Sequence, residues 1–152
     1  MEKATFAAGC FWGIEAAFAR VEGVESTAVG YTGGEFKDPT YEDICSDGTG
    51  HAEAVEVTYD PDKVEYETLL KLFWKIHDPT QLNRQGLDYG TQYRSAIFYH
   101  TPEQKQLAME SLERMRLQKH KEVVTEITEA THFYLAEEYH QRYLEKRGKT
   151  VC

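Results

Sequence analysis

Lys3-Ala4-Thr5-Phe6-Ala7-Ala8-Gly9-Cys10-Phe11-Trp12-Gly13-Ile14-Glu15-Ala16-Ala17-Phe18-Ala19-Arg20 changes character at its middle. Residues 3–8 read as a short strand ending in small side chains, and Gly9 then lets the backbone turn. From Gly13 the composition is helical, with Ile14, Ala17 and Phe18 at the i, i+3, i+4 spacing of one apolar face, and Gly23 closes the helix. Cys10 therefore falls at or just before a helix N-terminus. Unpaired N–H groups and the helix macrodipole favour negative charge there, which makes a thiolate more accessible than at an ordinary cysteine.

The pattern continues outward from that turn. Residues 24–31 read as a strand broken by Thr32-Gly33-Gly34, and 35–50 as a long loop with at most one helical turn around 41–45. A loop of that length in a compact domain is functional or disordered, and Tyr41 with His51-Ala52-Glu53 favours function. Residues 53–59 alternate as a strand with Val55, Val57 and Tyr59 on one face; if the strand is regular, Glu53 shares that apolar face. After a turn at Asp60-Pro61, Leu69, Phe73 and Ile76 predict a helix over 65–77. A second long polar loop covers 78–92, and 93–100 is a strand. Thr101-Pro102-Glu103-Gln104 reads as a capping box with proline at the first helical position. The helix it opens runs to 119 and buries Ala108, Leu112 and Met115. A strand over 123–128 and a last helix over 135–146, ended by Gly148, complete the chain. Several strands follow one another without a helix between them, so a mixed sheet with helices packed on it is expected.

With 152 residues and a formal charge of −9, the chain has the size of one domain and the wrong sign for non-specific nucleic-acid binding. No apolar run is long enough for a signal peptide or a membrane span, which leads to the expectation of a soluble, cytoplasmic protein. Three cysteines, Cys10, Cys45 and Cys152, are an odd number without a Cys-x-x-Cys pair. That speaks against a secreted disulfide framework and a structural zinc site, and for working thiols in a reducing compartment.

Cys10 carries two readings, a small core residue among packing aromatics or a nucleophile beside two aromatic faces that suit a soft electrophile. His51-Ala52-Glu53 matches half of the zinc deaminase signature, but the Pro-Cys-x-x-Cys half is missing. The other histidines show no ligand spacing with the cysteines and are expected to be solvated or locally bonded. A Cys/His hydrolase using His51 or His140 as base stays open, as does a module that binds extended peptides with its many tyrosines.

Seven segments together resemble the A-type peptide methionine sulfoxide reductases. They are Gly9-Cys10-Phe11-Trp12-Gly13, Gly30-Tyr31-Thr32-Gly33-Gly34, Pro39-Thr40-Tyr41, Thr49-Gly50-His51-Ala52-Glu53, His77-Asp78-Pro79, Asp88-Tyr89-Gly90-Thr91-Gln92-Tyr93-Arg94-Ser95 and Ala136-Glu137-Glu138-Tyr139-His140-Gln141. The resemblance covers nearly the whole chain in order. It implies a two-layer α/β (α+β) sandwich with a mixed sheet and a ferredoxin-like core, forming one catalytic domain over 1–152 with a mobile tail at 148–152. It also implies reduction of the S epimer of methionine sulfoxide, free or in proteins, with no metal and no cofactor. By matching position, Cys10 is the nucleophile, Phe11 and Trp12 form the pocket for the substrate methyl, and Glu53 is the acid. Tyr41, Asp88 and Tyr93 are the polar partners of the sulfoxide oxygen. Cys152 is expected to resolve the sulfenic acid, although the glycine-containing tail motif of many relatives is replaced by Arg147-Gly148-Lys149-Thr150-Val151-Cys152. Cys45, read as a half-buried thiol, is the rival. Thioredoxin or a similar dithiol is the implied reductant, and a monomer is expected.

Overall fold

The structure is a computed structural model that describes residues 1–46 and 48–148. Strand β1 (Glu2–Ala8) leads through Gly9 into α1 (Phe11–Ala19), followed by β2 (Val24–Thr32), a short α2 (Tyr41–Cys45), β3 (Ala52–Tyr59) and α3 (Tyr66–Lys75). A two-residue hairpin, β4 (Arg84–Gln85) and β5 (Asp88–Tyr89), precedes a 3-10 turn at Thr91–Tyr93 and β6 (Ser95–Tyr99). Then come α4 (Pro102–Gln118), β7 (Glu126–Glu129), β8 (Tyr134–Leu135), a second 3-10 turn at Glu138–His140 and α5 (Tyr143–Lys146).

Six strands form one sheet in the order β7-β6-β1-β3-β2-β8. Only the β6–β7 pairing is parallel, so the sheet is mixed, as the run of consecutive strands requires. Its four central strands, β6-β1-β3-β2, with α1 between β1 and β2 and α3 between β3 and β6, make the β-α-β-β-α-β arrangement of a ferredoxin-like core.

Alternation along the central strands sorts the side chains. Ala4, Phe6 and Ala8 of β1 and Val55, Val57 and Tyr59 of β3 join the main core with Phe11, Ile14 and Phe18 of α1 and Leu69, Leu70 and Phe73 of α3. Ala7, Ala52, Ala54, Ala96 and Phe98 form a smaller cluster on the opposite face, covered by Ala130 and Phe133. Because β3 is regular from its start, Glu53 lies on the face of Val55 and Val57. A carboxyl is thereby carried into an apolar layer.

Several local expectations are corrected. Helix α1 begins at Phe11, two residues earlier than its composition indicates, and buries Glu15 rather than Ala17. The 78–92 segment is not wholly irregular, since Arg84 pairs with Tyr89 and Gln85 with Asp88. The capping box of α4 is half made: Thr101 Oγ1 accepts from Gln104 N, while Gln104 Oε1 accepts from His100 N instead of the cap's own N–H. Met115 is only partly buried. The strand expected from 123 starts at Glu126, because Val124 N donates to the Pro79 carbonyl at 2.8 Å.

The largest departure is the last helix, which is not continuous over 135–146. Gln141 turns inward and its side chain accepts from Val29 N and donates to the carbonyls of Val29 and Ala136, each at 2.9 Å. Arg142 follows in the left-handed region at φ +52, with its N–H donated to buried Glu15 Oε1 at 2.6 Å. Tertiary hydrogen bonds thus override the helical propensity of the segment. They also press it against α1.

Candidate active site

Gly9 makes the turn at φ +100, where side chains are strained, and a Cβ there would lie 2.8 Å from the Gln85 side chain. The next residue, Cys10, is the N-cap of α1 and is half-buried. Its successor's N–H, the first of the helix, donates to Glu53 Oε1 at 3.3 Å. The acid and the thiol are therefore joined through one peptide unit.

Glu53 is 2% exposed. Burial pushes its carboxyl up to about 8; the Phe11 N–H works against this, and the nearby Asp88 carboxylate adds to it. At neutral pH it therefore carries a proton. Glu137 is the useful contrast, because its carboxylate also receives a first helical N–H, from Tyr41 at 2.9 Å, and in addition the Tyr31 hydroxyl at 3.0 Å. Partial burial pushes Glu137 up, but those hydrogen bonds and His140 outweigh it and hold the group below its ordinary range. Two carboxyls on two helix starts are thus set in opposite protonation states.

Tyr41 and Tyr93 both have their hydroxyl titration pushed up, first by burial, then at Tyr41 by a side-chain hydrogen bond with Cys45 and the charges of Cys45 and Glu53, and at Tyr93 by the charges of Glu53 and Asp88. Cys10 also acts on Tyr93, which places that hydroxyl within electrostatic reach of the thiol, the acid and Asp88. Both phenols remain O–H donors. Asp88 sits exposed on β5, opposite Gln85.

Phe11 is 1% exposed and its ring centroid lies 5.8 Å from Tyr31 and 5.2 Å from His140. Trp12 stacks on Tyr143 at 3.8 Å and 7° and donates its indole N–H to His140 Nδ1 at 2.9 Å. An indole nitrogen can only donate, so His140 Nδ1 accepts and the ring proton is on Nε2. Burial lowers the His140 pKa, against a smaller opposing effect of Glu137, which keeps this neutral tautomer. His140 Nε2 is buried without a hydrogen-bond partner, and Tyr41 and Tyr139 lie 4.5 and 4.1 Å from the ring centroid.

The structure therefore brings Cys10, Phe11, Trp12, Glu53, Tyr41, Asp88 and Tyr93 to one end of β1, β3 and α1. Cys152 lies outside the described residues. Cys45 is exposed rather than half-buried, and its thiol is near enough to raise Tyr41 and Tyr93. His140, expected among solvated or locally bonded histidines, is fully buried in the site. The Glu137-x-x-His140 spacing within a segment of helical composition carried no sign of the break that aims both residues inward. His51 is committed elsewhere, with Nδ1 accepting from Gly34 N at 3.0 Å and Nε2 bonded to the Phe36 carbonyl at 2.6 Å. Neither nitrogen is left to serve as a base or bind zinc. A groove of about 490 Å³ lined by Lys75, His77, Asp78, Lys119, His120 and Lys121 contains none of the expected site residues. Its lysines sit at the ends of α3 and α4, where cations offset helix C-terminal carbonyls.

Replacing His140 by Phe keeps a ring but removes the acceptor. The Trp12 indole N–H resonance is expected to move upfield in His140→Phe and to stay near its wild-type position in His140→Gln, whose amide oxygen can accept. An unmoved resonance in His140→Phe contradicts the hydrogen bond.

The chain is similar to known proteins along its length. A family model described as peptide methionine sulfoxide reductase matches residues 2–152. The peptide methionine sulfoxide reductase MsrA of Acidobacterium capsulatum is 55% identical, over all of this chain and 99% of its own length. That of Geobacter metallireducens is 60% identical, over all of this chain and 95% of its own. Among solved structures, reduced Mxr1 from Saccharomyces cerevisiae superimposes with a TM-score of 0.93 at 34% identity, covering 99% of this chain and 88% of Mxr1. Mxr1 in complex with Trx2 matches with a TM-score of 0.66 at 25% identity, over 93% of this chain and 84% of Mxr1.

Proposed function

The chain belongs to the peptide methionine sulfoxide reductase family, a class of thiol-dependent oxidoreductases, and we propose that it reduces the S epimer of methionine sulfoxide, free or in proteins, through Cys10. The observation that carries this reading is the buried carboxyl of Glu53 accepting from the Phe11 N–H beside the Cys10 turn, where burial pushes it up to about 8.

In the proposed reaction the substrate methyl enters between Phe11 and Trp12, and the Cys10 thiolate attacks the sulfoxide sulfur. Negative charge moves to the sulfoxide oxygen, which leaves poorly unless it is protonated. Glu53 delivers that proton. The Tyr41 and Tyr93 hydroxyls donate hydrogen bonds to the same oxygen as its charge develops, with Asp88 at the edge of the network. Collapse of the adduct releases methionine and leaves Cys10 as a sulfenic acid. A second thiol then displaces water to form a disulfide, and a dithiol donor of the thioredoxin class reduces that disulfide back to two thiols. The structure of Mxr1 with Trx2 supports a donor of that class.

Cys152 is our choice for the second thiol, in one catalytic unit spanning 1–152. Gly148 follows α5, whose Tyr143 stacks on Trp12, a wall of the site. The four residues that follow Gly148 can reach at most roughly 14 Å. The odd cysteine number suits a reducing compartment, and we place the activity in the cytoplasm, in a monomer. Among the described residues no helix is long and apolar enough to cross a membrane.

Incubation with racemic methionine sulfoxide and dithiothreitol should consume only the S epimer, and Cys10→Ser should abolish the reaction. Loss of both epimers at equal rates, or turnover by Cys10→Ser, contradicts the assignment. Cys152→Ser should still release one methionine per chain but stall with thioredoxin. Undiminished multiple turnover would transfer the resolving role to Cys45 or to the reductant itself.

A further inference from the structure

Among the described residues the strands of the hairpin at 84–89 pair only with each other, yet hydrogen bonds brace it against the preceding loop. Gln85 Oε1 accepts from Asp78 N at 2.7 Å and Gln85 Nε2 donates to the Asp78 carbonyl at 2.9 Å. Gly86 N donates to Gln81 Oε1 at 2.7 Å, Gly90 N to the Asn83 carbonyl at 2.9 Å, and the Arg84 guanidinium lies 4.7 Å over the Tyr89 ring. This projection abuts the site: the Gln85 side chain packs on Gly9, next to Cys10, and Asp88 acts on Glu53 and Tyr93.

At its tip, beside Asp88, Leu87 is 92% exposed, and Tyr89 is 65% exposed. Scattered exposed apolar residues are normal, but here the exposure falls on the part of a braced hairpin that flanks the reacting atoms. On the other side of the site Tyr139, 57% exposed, sits against His140. A side chain as exposed as Leu87 cannot line the buried methyl pocket. It can contact only a substrate that extends beyond the oxidised side chain.

We propose that the hairpin is a docking lip for the polypeptide that carries the sulfoxide, and that Leu87 favours extended segments with an apolar side chain within two residues of the oxidised methionine. The proposal rests on the reductase reading above, because the lip is continuous with that site through Gln85 and Asp88. Asp88, next to Leu87, is near enough to act on Glu53 and Tyr93, so with the sulfoxide at Cys10 the residues positioned to meet Leu87 are those within two of the methionine, roughly 7 Å along an extended segment. Partial burial of a leucine against such a neighbour corresponds to roughly a five- to tenfold gain in affinity.

The test compares wild type, Leu87→Ser and Leu87→Met, with dithiothreitol as reductant. The substrates are free methionine S-sulfoxide, Gly-Gly-Met(O)-Gly-Gly and Leu-Leu-Met(O)-Leu-Leu. Wild type should prefer the leucine peptide over the glycine peptide through a lower KM. Leu87→Ser should lose that preference by about five- to tenfold while reducing the free amino acid within about twofold of wild type, and Leu87→Met should retain it. Equal ranking of the peptides by wild type and Leu87→Ser overturns the lip. Two parallel measurements overturn it as well: with thioredoxin in place of dithiothreitol, a Leu87→Ser defect confined to the KM for thioredoxin would assign the surface to the reductant, and in sedimentation, a wild-type dimer that Leu87→Ser dissociates would assign it to a second copy. Failure of wild type on all three substrates defeats the reductase reading itself and is distinguishable from each of these.

Discussion

A carboxyl held out of water against the first N–H of a helix is the constraint on which the site depends. An isolated buried carboxylate is costly, and among the described residues Glu53 accepts from one N–H where Glu137 accepts from an N–H and a hydroxyl, so the group keeps its proton. That proton is what the sulfoxide oxygen needs. The linkage sign follows: below the ordinary 4.5 both folded and unfolded chains hold it, and between there and about 8 only the folded chain does. Folded stability is therefore lost across that window as pH rises.

The fold supplies this constraint by simple means. Regular pairing of β3 with β1 and β2 puts Glu53 on the core face, across from Tyr31 in the register. Gly9 ends β1 and turns the chain so that α1 starts over the same strand end, with Phe11 N–H aimed at the carboxyl. The broken C-terminal segment then closes one side. Gln141 clamps it to Val29, Glu15 holds Arg142, His140 fixes the N–H edge of the Trp12 indole and Tyr143 stacks on its face.

Much of this was legible in the sequence because it rests on local signals. The change of period at Gly9, the alternation of β3 that places Glu53 inward, and the single turn at 41–45 all come from short-range patterns, and the structure has them at or within two residues of the expected bounds. The resemblance supplied the site residues that periodicity could not, notably Asp88, which lies on a hairpin too short to show a pattern. What escaped depends on contacts distant in sequence. The side chains of Gln141 and Glu15 break a helix that composition favours, and only that break buries His140 beside Trp12. The exposure of Cys45 likewise depends on how α2 rests over the site, with Ile44 turned inward instead.

The central claim is the protonation state of Glu53, and a direct titration tests it. Carboxyl carbon chemical shifts of 13C-glutamate-labelled protein, with Glu53 assigned by its disappearance in Glu53→Gln, should show a midpoint near pH 8, as burial demands. A midpoint near the ordinary 4.5 would mean an ionised carboxylate beside Cys10 at neutral pH and would contradict its role as the proton donor.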